Sequence, residues 1–328
     1  MSRIHEALKK AQEERAAQKS ERDPAAPESA AEVTTSPSPA SHSAQVSAPI
    51  SAPVSSLAPA AVLVAPDLPV VTRASQNGGP LTFESLLAHS RQRNWKPDPA
   101  MLLFANGDGD DSMGKEVFRT LRARLYQIRA VQPLRTVLIT SALPGEGKTF
   151  VASNLAQSLV RQRERRTLLI DADLRQSNLH LPMGAESSPG LSDYLLGELD
   201  EYGVLQRGSA ENLFMISGGK ASTNPTELLA NGRFEVLLER LSPIFDWILI
   251  DSPPTIPVSD STIISKMCDG VLMVVRAGLT PFDLAQKACE AFKDRPLLGA
   301  VLNRTDPKEG YGGYYNQGYP SDAQKTAQ

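Results

Sequence analysis

The chain has 328 residues, enough for one sizeable domain with appendages. Its 34 Lys and Arg against 37 Asp and Glu leave a formal net charge of −3, which argues against a nucleic-acid binder. Two cysteines, Cys268 and Cys289, lack CxxC or zinc spacing and are expected as buried, reduced thiols. The four histidines are scattered, and no apolar run approaches the about 18 residues of a membrane span.

In chain order, residues 1–20 form the first expected element, a short amphipathic helix. Ser2 can cap it, and Ile4, Ala7, Leu8 and Ala11 recur at helical spacing. The stretch "MSRIHEALKK" has no apolar core or cleavage site of a leader, so a cytoplasmic protein is expected. Residues 21–80 are dominated by Pro, Ala and Ser and read as an extended linker. Residues 81–111 are a poorly defined lead-in. Running across their end, "NGDGDDSMGKE", from Asn106 to Glu116, fails as a calcium loop because the required glycine falls on Met113 and the third ligand position on Ser112.

Residues 112–305 alternate helical patterns with short Val/Ile/Leu runs at 136–140, 167–171, 213–217, 247–251, 271–275 and 298–303. Such runs suit strands buried on both faces, so an α/β fold is expected, a doubly wound and mostly parallel sheet. The first helix of this region places Val117, Leu121, Leu125 and Ile128 on one face and Glu116, Arg119 and Arg122 on a neighbouring one. Residues 306–328 are a flexible tail holding Tyr311, Tyr314, Tyr315 and Tyr319, four of the chain's seven tyrosines. They are either adhesive decoration or a substrate.

The most specific motif is "SALPGEGKT", Ser141 to Thr149, between an expected strand and helix. From Ala142 it reads A-x-x-x-x-G-K-T, a P-loop with alanine at the first glycine position. Gly145 and Gly147 let the backbone turn its N–H groups toward one point, and the helix start adds a positive dipole end. The expected ATP cradle is therefore Gly145, Glu146, Gly147, Lys148, Thr149 and Phe150. Lys148 would reach the phosphates and Thr149 would meet Mg2+. Asp171 ends the second strand, and Asp173, two residues on, shares its side if the chain stays extended. Asp251 ends "WILID" at the position where a carboxylate holds magnesium. Asn303, at the end of the last strand, is either a reader of the adenine edge or a turn residue.

The P-G-E-G-K-T loop, the D-x-D-x-R set (Asp171, Asp173, Arg175), "IDSPP", "NPTELL" and the tyrosine-rich tail together resemble the bacterial tyrosine kinase family of capsule and exopolysaccharide synthesis. The resemblance begins near residue 112 and implies a P-loop tyrosine autokinase using ATP and Mg2+. Lys148, Asp171, Asp173 and Asp251 would be the catalytic set. Thr149, Asp171 and Asp251 would be the metal contacts, with Asp171 as base or metal contact supported by Asp173, or the two exchanged. The tail tyrosines would be acceptors in trans within a ring-like homo-oligomer. "EVFRTLR", with Glu116, Arg119 and Arg122, resembles that family's oligomerisation helix. The resemblance also implies a separate membrane-spanning chain-length regulator, recruitment to the inner face of the plasma membrane, and a tyrosine phosphatase. Partitioning and septum-site ATPases share the fold, but their signature lysine position is Leu143 here. A partitioning-type ATPase or a nucleotide-dependent scaffold without kinase activity is the competing expectation.

Overall fold

The computed structural model describes residues 81–99, 101, 113–162 and 165–305. The expected N-terminal helix, the linker and the four tail tyrosines lie outside the described residues.

The described chain opens with helix α1 (Phe83–His89) and strand β1 (Arg91–Gln92), where the sequence predicted no element. Thr82 and Ser85 cap α1 reciprocally, each side-chain oxygen taking the other's backbone N–H at 3.1 and 3.0 Å. One fully buried side chain, Leu86, pins the helix, and Phe83 meets Phe214 edge-on at 5.9 Å. Past β1 the chain is fastened at two further places. The N–H of Lys96 donates to the carbonyl of Gly184, and that of Asp98 to the carbonyl of Pro182, both at 3.1 Å. Met101 is then buried, its sulfur 3.8 Å from the amide of Asn154.

Helix α2 (Met113–Arg129) leads to β2 (Thr136–Ser141), α3 (Lys148–Val160) and β3 (Thr167–Asp171). Three short helices follow, α4 (His180–Met183), α5 (Leu191–Leu195) and α6 (Glu201–Val204). Strands β4 (Gln206–Arg207) and β5 (Leu213–Ile216) precede α7 (Pro225–Ala230) and α8 (Arg233–Leu241). The remainder is β6 (Trp247–Asp251), α9 (Asp260–Ser265), β7 (Gly270–Arg276), α10 (Phe282–Glu290) and β8 (Leu297–Asn303). All six predicted strands form. The short edge strands β1 and β4 were not predicted, because two residues carry no readable period.

The eight strands are ordered β1-β4-β5-β3-β6-β2-β7-β8, and every pairing is parallel except β4 with β5. Side chains alternate across the strands, so Leu168, Ile170, Ile248 and Ile250 enter one core and Leu169, Val137, Ile139 and Leu249 the other. The second core is covered by α2, α3 and α4, the first by α1 and α5 to α10. Helices on both faces make the sheet doubly wound, as predicted. Nine consecutive residues of α3, Val151 to Leu159, are buried, because α2 covers the side that the sheet does not. The small residues Ala152, Ser153, Ala156 and Ser158 permit that close approach, and Ser158 Oγ donates to the carbonyl of Phe118 at 3.2 Å. Along α2 the expected inward face is corrected at one position. Val117 is 54% exposed, and Phe118, three and seven residues before Leu121 and Leu125, packs inward instead.

Trp247 is fully buried at the start of β6, edge-on to Tyr126 at 5.4 Å, with the Arg129 guanidinium 4.8 Å from its ring. These contacts tie α2 to the start of the strand that ends at Asp251. Cys268 is buried and Cys289 only partly so; both are unpaired thiols, raised in pKa by burial. No helix among the described residues is long and apolar enough to cross a membrane.

Candidate active site

The central strands deliver their chemistry at their C-terminal ends, where open parallel sheets form a crevice. β2 runs into the turn Ala142–Gly147, and α3 starts at Lys148. Gly145 and Gly147 have φ of +77° and +94°, a region that side chains other than glycine's disfavour. These angles fold the backbone back over the start of α3.

On β3 and β6, Asp171 and Asp251 are register partners, so the two carboxylates lie side by side. Asp171 is fully buried, and its oxygens are occupied. One accepts the N–H of Asp173 at 3.1 Å, the other the Ser177 hydroxyl at 2.7 Å and the Leu179 N–H at 3.1 Å. Asp251 differs. Its Oδ2 accepts the Thr149 hydroxyl at 2.7 Å, while its buried Oδ1 has no hydrogen-bond partner. Burial pushes the Asp171 carboxyl up to about 6, against the Ser177 and Leu179 bonds. Burial pushes Asp251 up to about 7; Lys148 opposes this and the neighbouring Asp171 reinforces it.

The Lys148 ammonium sits 3.2 Å from Asp173 Oδ2. Burial disfavours its charge, but Asp251, Asp173 and Asp171 outweigh that and hold its pKa above the usual lysine value. Asp173 also accepts the N–H of Gln176 at 3.1 Å, closing the turn after β3. A cavity of about 400 Å³ opens here, lined among others by Gly145, Lys148, Thr149, Asp173, Arg175 and Arg304. Asp173 faces this cavity; Asp171 lies behind it.

Most of the expected site residues meet at one set of strand ends: Gly145, Gly147, Lys148, Thr149 and Asp173 line the cavity, and the buried Asp171 and Asp251 adjoin Asp173 and Thr149. Glu146 turns inward and is 2% exposed. Phe150 packs edge-on against Phe118 at 6.1 Å, on the α2 side of α3. Asn303 reaches the loop with its amide on the carbonyl of Glu146 at 2.9 Å. Glu116 and Arg119 form an exposed ion pair at 3.0 Å on α2, whereas Arg122 turns in to the carbonyl of Ser158.

The sequence reading missed the partners of Arg175. Its guanidinium grips the buried Asp260 through Nε at 2.7 Å and Nη2 at 3.2 Å, and also meets the Thr226 hydroxyl at 2.8 Å. Thr226 belongs to "NPTELL", so that motif is fastened to the site through this bidentate contact. The motif's position was readable, but its partner 34 residues on was not.

The donor set fits a hydrated magnesium ion. Such an ion binds through one or two carboxylates, a hydroxyl and phosphate oxygens, not a dedicated cage. Among the described residues no three His, Cys, Asp or Glu side chains are arranged to hold a metal ion by themselves, and the orphaned Asp251 Oδ1 beside Thr149 is the oxygen that would meet one.

Comparison with known proteins agrees with this geometry. The family described as AAA domain matches residues 134–283. The tyrosine-protein kinase YwqD of Bacillus subtilis is 33% identical over 207 residues, 62% of this chain and 87% of that protein. The tyrosine-protein kinase CpsD of Streptococcus agalactiae is 37% identical over 188 residues, 56% of this chain and 82% of that one. The chain spans only 26% of the putative tyrosine-protein kinase AmsA of Erwinia amylovora, at 40% identity. Among solved structures, the kinase domain of the Escherichia coli tyrosine kinase ETK superposes with a TM-score of 0.60 at 29% identity, covering 67% of this chain and 86% of that one. With a P-loop, paired strand-end aspartates and relatives matched over most of their length, the chain belongs to the bacterial tyrosine kinase family.

Proposed function

We propose that this protein is an ATP-dependent tyrosine autokinase that phosphorylates the terminal cluster Tyr311, Tyr314, Tyr315 and Tyr319 of a neighbouring copy, in the control of exopolysaccharide or capsule synthesis. The observation that supports it most is the pairing of Thr149 with a buried Asp251 whose second oxygen is unpartnered, beside a lysine-bearing P-loop.

In this reading the Gly145–Thr149 backbone and Lys148 hold the triphosphate, and Thr149 and Asp251 hold Mg2+, which when bound neutralises phosphate charge. A tyrosine hydroxyl is neutral near pH 7, with an ordinary pKa near ~10, so it needs a proton acceptor as it attacks. Asp173 is the better placed carboxylate, because it borders the cavity while Asp171 is occupied behind it. The phenol oxygen bonds to the γ-phosphorus, the bond to the β–γ bridging oxygen breaks, and the phenolic proton passes to Asp173. ADP and phosphotyrosine are the products.

The tail begins beyond Thr305, and a stretched chain of ~3.4 Å per residue takes Tyr315 about 37 Å from Arg304, far enough for an adjacent subunit. Each phosphate adds about −1.5 to −2 charge, so a fully modified tail would repel acidic neighbours and favour disassembly. Glu116, Arg119 and Arg122 are proposed for the subunit interface. A separate membrane-spanning regulator would recruit the protein to the membrane, and a tyrosine phosphatase would reset the tail.

Purified protein incubated with labelled ATP and Mg2+ should yield phosphotyrosine. The signal should vanish in Lys148→Met and fall sharply when the four tail tyrosines become Phe. ATP hydrolysis without phosphotyrosine would identify a cargo-positioning ATPase instead, and binding without turnover a scaffold.

A further inference from the structure

Glu146 stands in the P-loop between two glycines, yet its carboxylate is turned away from solvent. One oxygen accepts the N–H of Leu143 at 2.7 Å, and the other accepts the hydroxyl of Thr280, in the turn after β7. Thr280 is itself held, its oxygen accepting the N–H of Arg276 at 3.2 Å. The backbone carbonyl of Glu146 accepts Asn303 Nδ2 at 2.9 Å, and Asn303 Oδ1 accepts the N–H of Arg304 at 2.9 Å. Both ends of that amide are therefore committed to backbone. A Cβ added at Gly147 would lie 2.0 Å from Asn303 Nδ2, so the amide fills the space beside the loop that glycine leaves open.

A carboxylate in a surface loop normally stays in water, because burying it is unfavourable unless donors replace the lost hydration. Here Leu143 and Thr280 replace it, and the result ties the loop to a turn 134 residues away. Backbone N–H groups bind phosphate well only when their directions are fixed in advance. We propose that Glu146, Thr280 and Asn303 form a brace that sets the P-loop from the β7–β8 side, and that Asn303 serves the triphosphate by holding Glu146 and Gly147 in place, not by reading the base. All three are positioning residues. The inference rests on Gly145–Thr149 being the triphosphate cradle.

The test is calorimetric titration of the full chain with ATP and with inorganic tripolyphosphate, both with Mg2+, with thermal unfolding as a folding control. Asn303→Ala and Thr280→Val should each weaken both ligands by the same factor, about 3- to 10-fold, as expected for losing one positioning hydrogen bond. Thr280→Ser, which keeps the hydroxyl, should recover most of the affinity lost in Thr280→Val. If Asn303→Ala weakens ATP but leaves tripolyphosphate unchanged, the residue reads the base and the brace is overturned. Unchanged affinities in both Asn303→Ala and Thr280→Val, or no recovery with Thr280→Ser, overturn it as well. Wild-type protein that binds neither ligand removes the cradle itself and with it the kinase reading, an outcome distinct from all of these.

Discussion

Asp171 and Asp251 end neighbouring strands in the same register, and both are buried, yet their surroundings differ. The first accepts three donors from the turn after β3, at least one on each oxygen, whereas the second keeps one oxygen without a partner beside the P-loop threonine. The difference is one that a motif cannot reveal, and in the proposed reading it gives the loop-shaping part to Asp171 and the ligand-facing part to Asp251.

The sharpest way to break this contrast is Asp251→Asn. Phosphoryl transfer should fall by roughly 10²- to 10³-fold, the scale seen when one preorganised charge-stabilising group is lost, with the fold intact. The same substitution at Asp171 should act mainly through structure, and Asp171→Ala strands three donors. That should remove about 2–4 kcal/mol and lower the unfolding midpoint by roughly 5–10 °C in calorimetry. Equal losses of rate and equal stabilities in the two variants would erase the distinction.

Acidity offers a third handle. Both carboxyls are raised above the ordinary value of 3.8 in the folded protein, to about 6 and about 7. The folded chain therefore holds protons that the unfolded chain has released. The resulting stability is full below the unfolded value and is lost as pH rises through the folded ones. In chelator and without nucleotide, Asp251→Asn should gain on wild type by a few degrees as pH climbs from about 4 to about 7 and hold that gain above it, because the neutral amide has no charge to bury. A constant difference from acid to mild alkali would count against a buried, raised Asp251. The smallest effect expected is that of Ser177→Ala. It should lower stability by about 1 kcal/mol through one lost bond to Asp171, about 2–4 °C by calorimetry.

Much of this site is legible in the sequence. "TLLID" and "WILID" predict strands ending at the two aspartates, and both strands end there. The glycine spacing of the P-loop announced itself because its φ angles admit little else. Contacts between distant segments were not legible. Nothing near Arg175 points to Asp260, 85 residues on, and nothing near Glu146 points to Thr280. Helix α1 also escaped notice, since its seven residues hold a single short apolar set, Phe83, Leu86 and Leu87, too brief to stand out from the weakly patterned stretch around it. On α2, spacing found the right stripe but not its centre; at about 100° per residue Phe118 lies near the most buried residue, Leu125, and Val117 falls at the stripe's edge.

The strip that begins at Arg91 is tacked down at separate stations, two residues against β4, two N–H groups near α4, and Met101 against Asn154. Its last tack lies on α3, little more than one turn from Thr149, so one short run of chain joins the β1 edge of the sheet to the helix that starts at the P-loop.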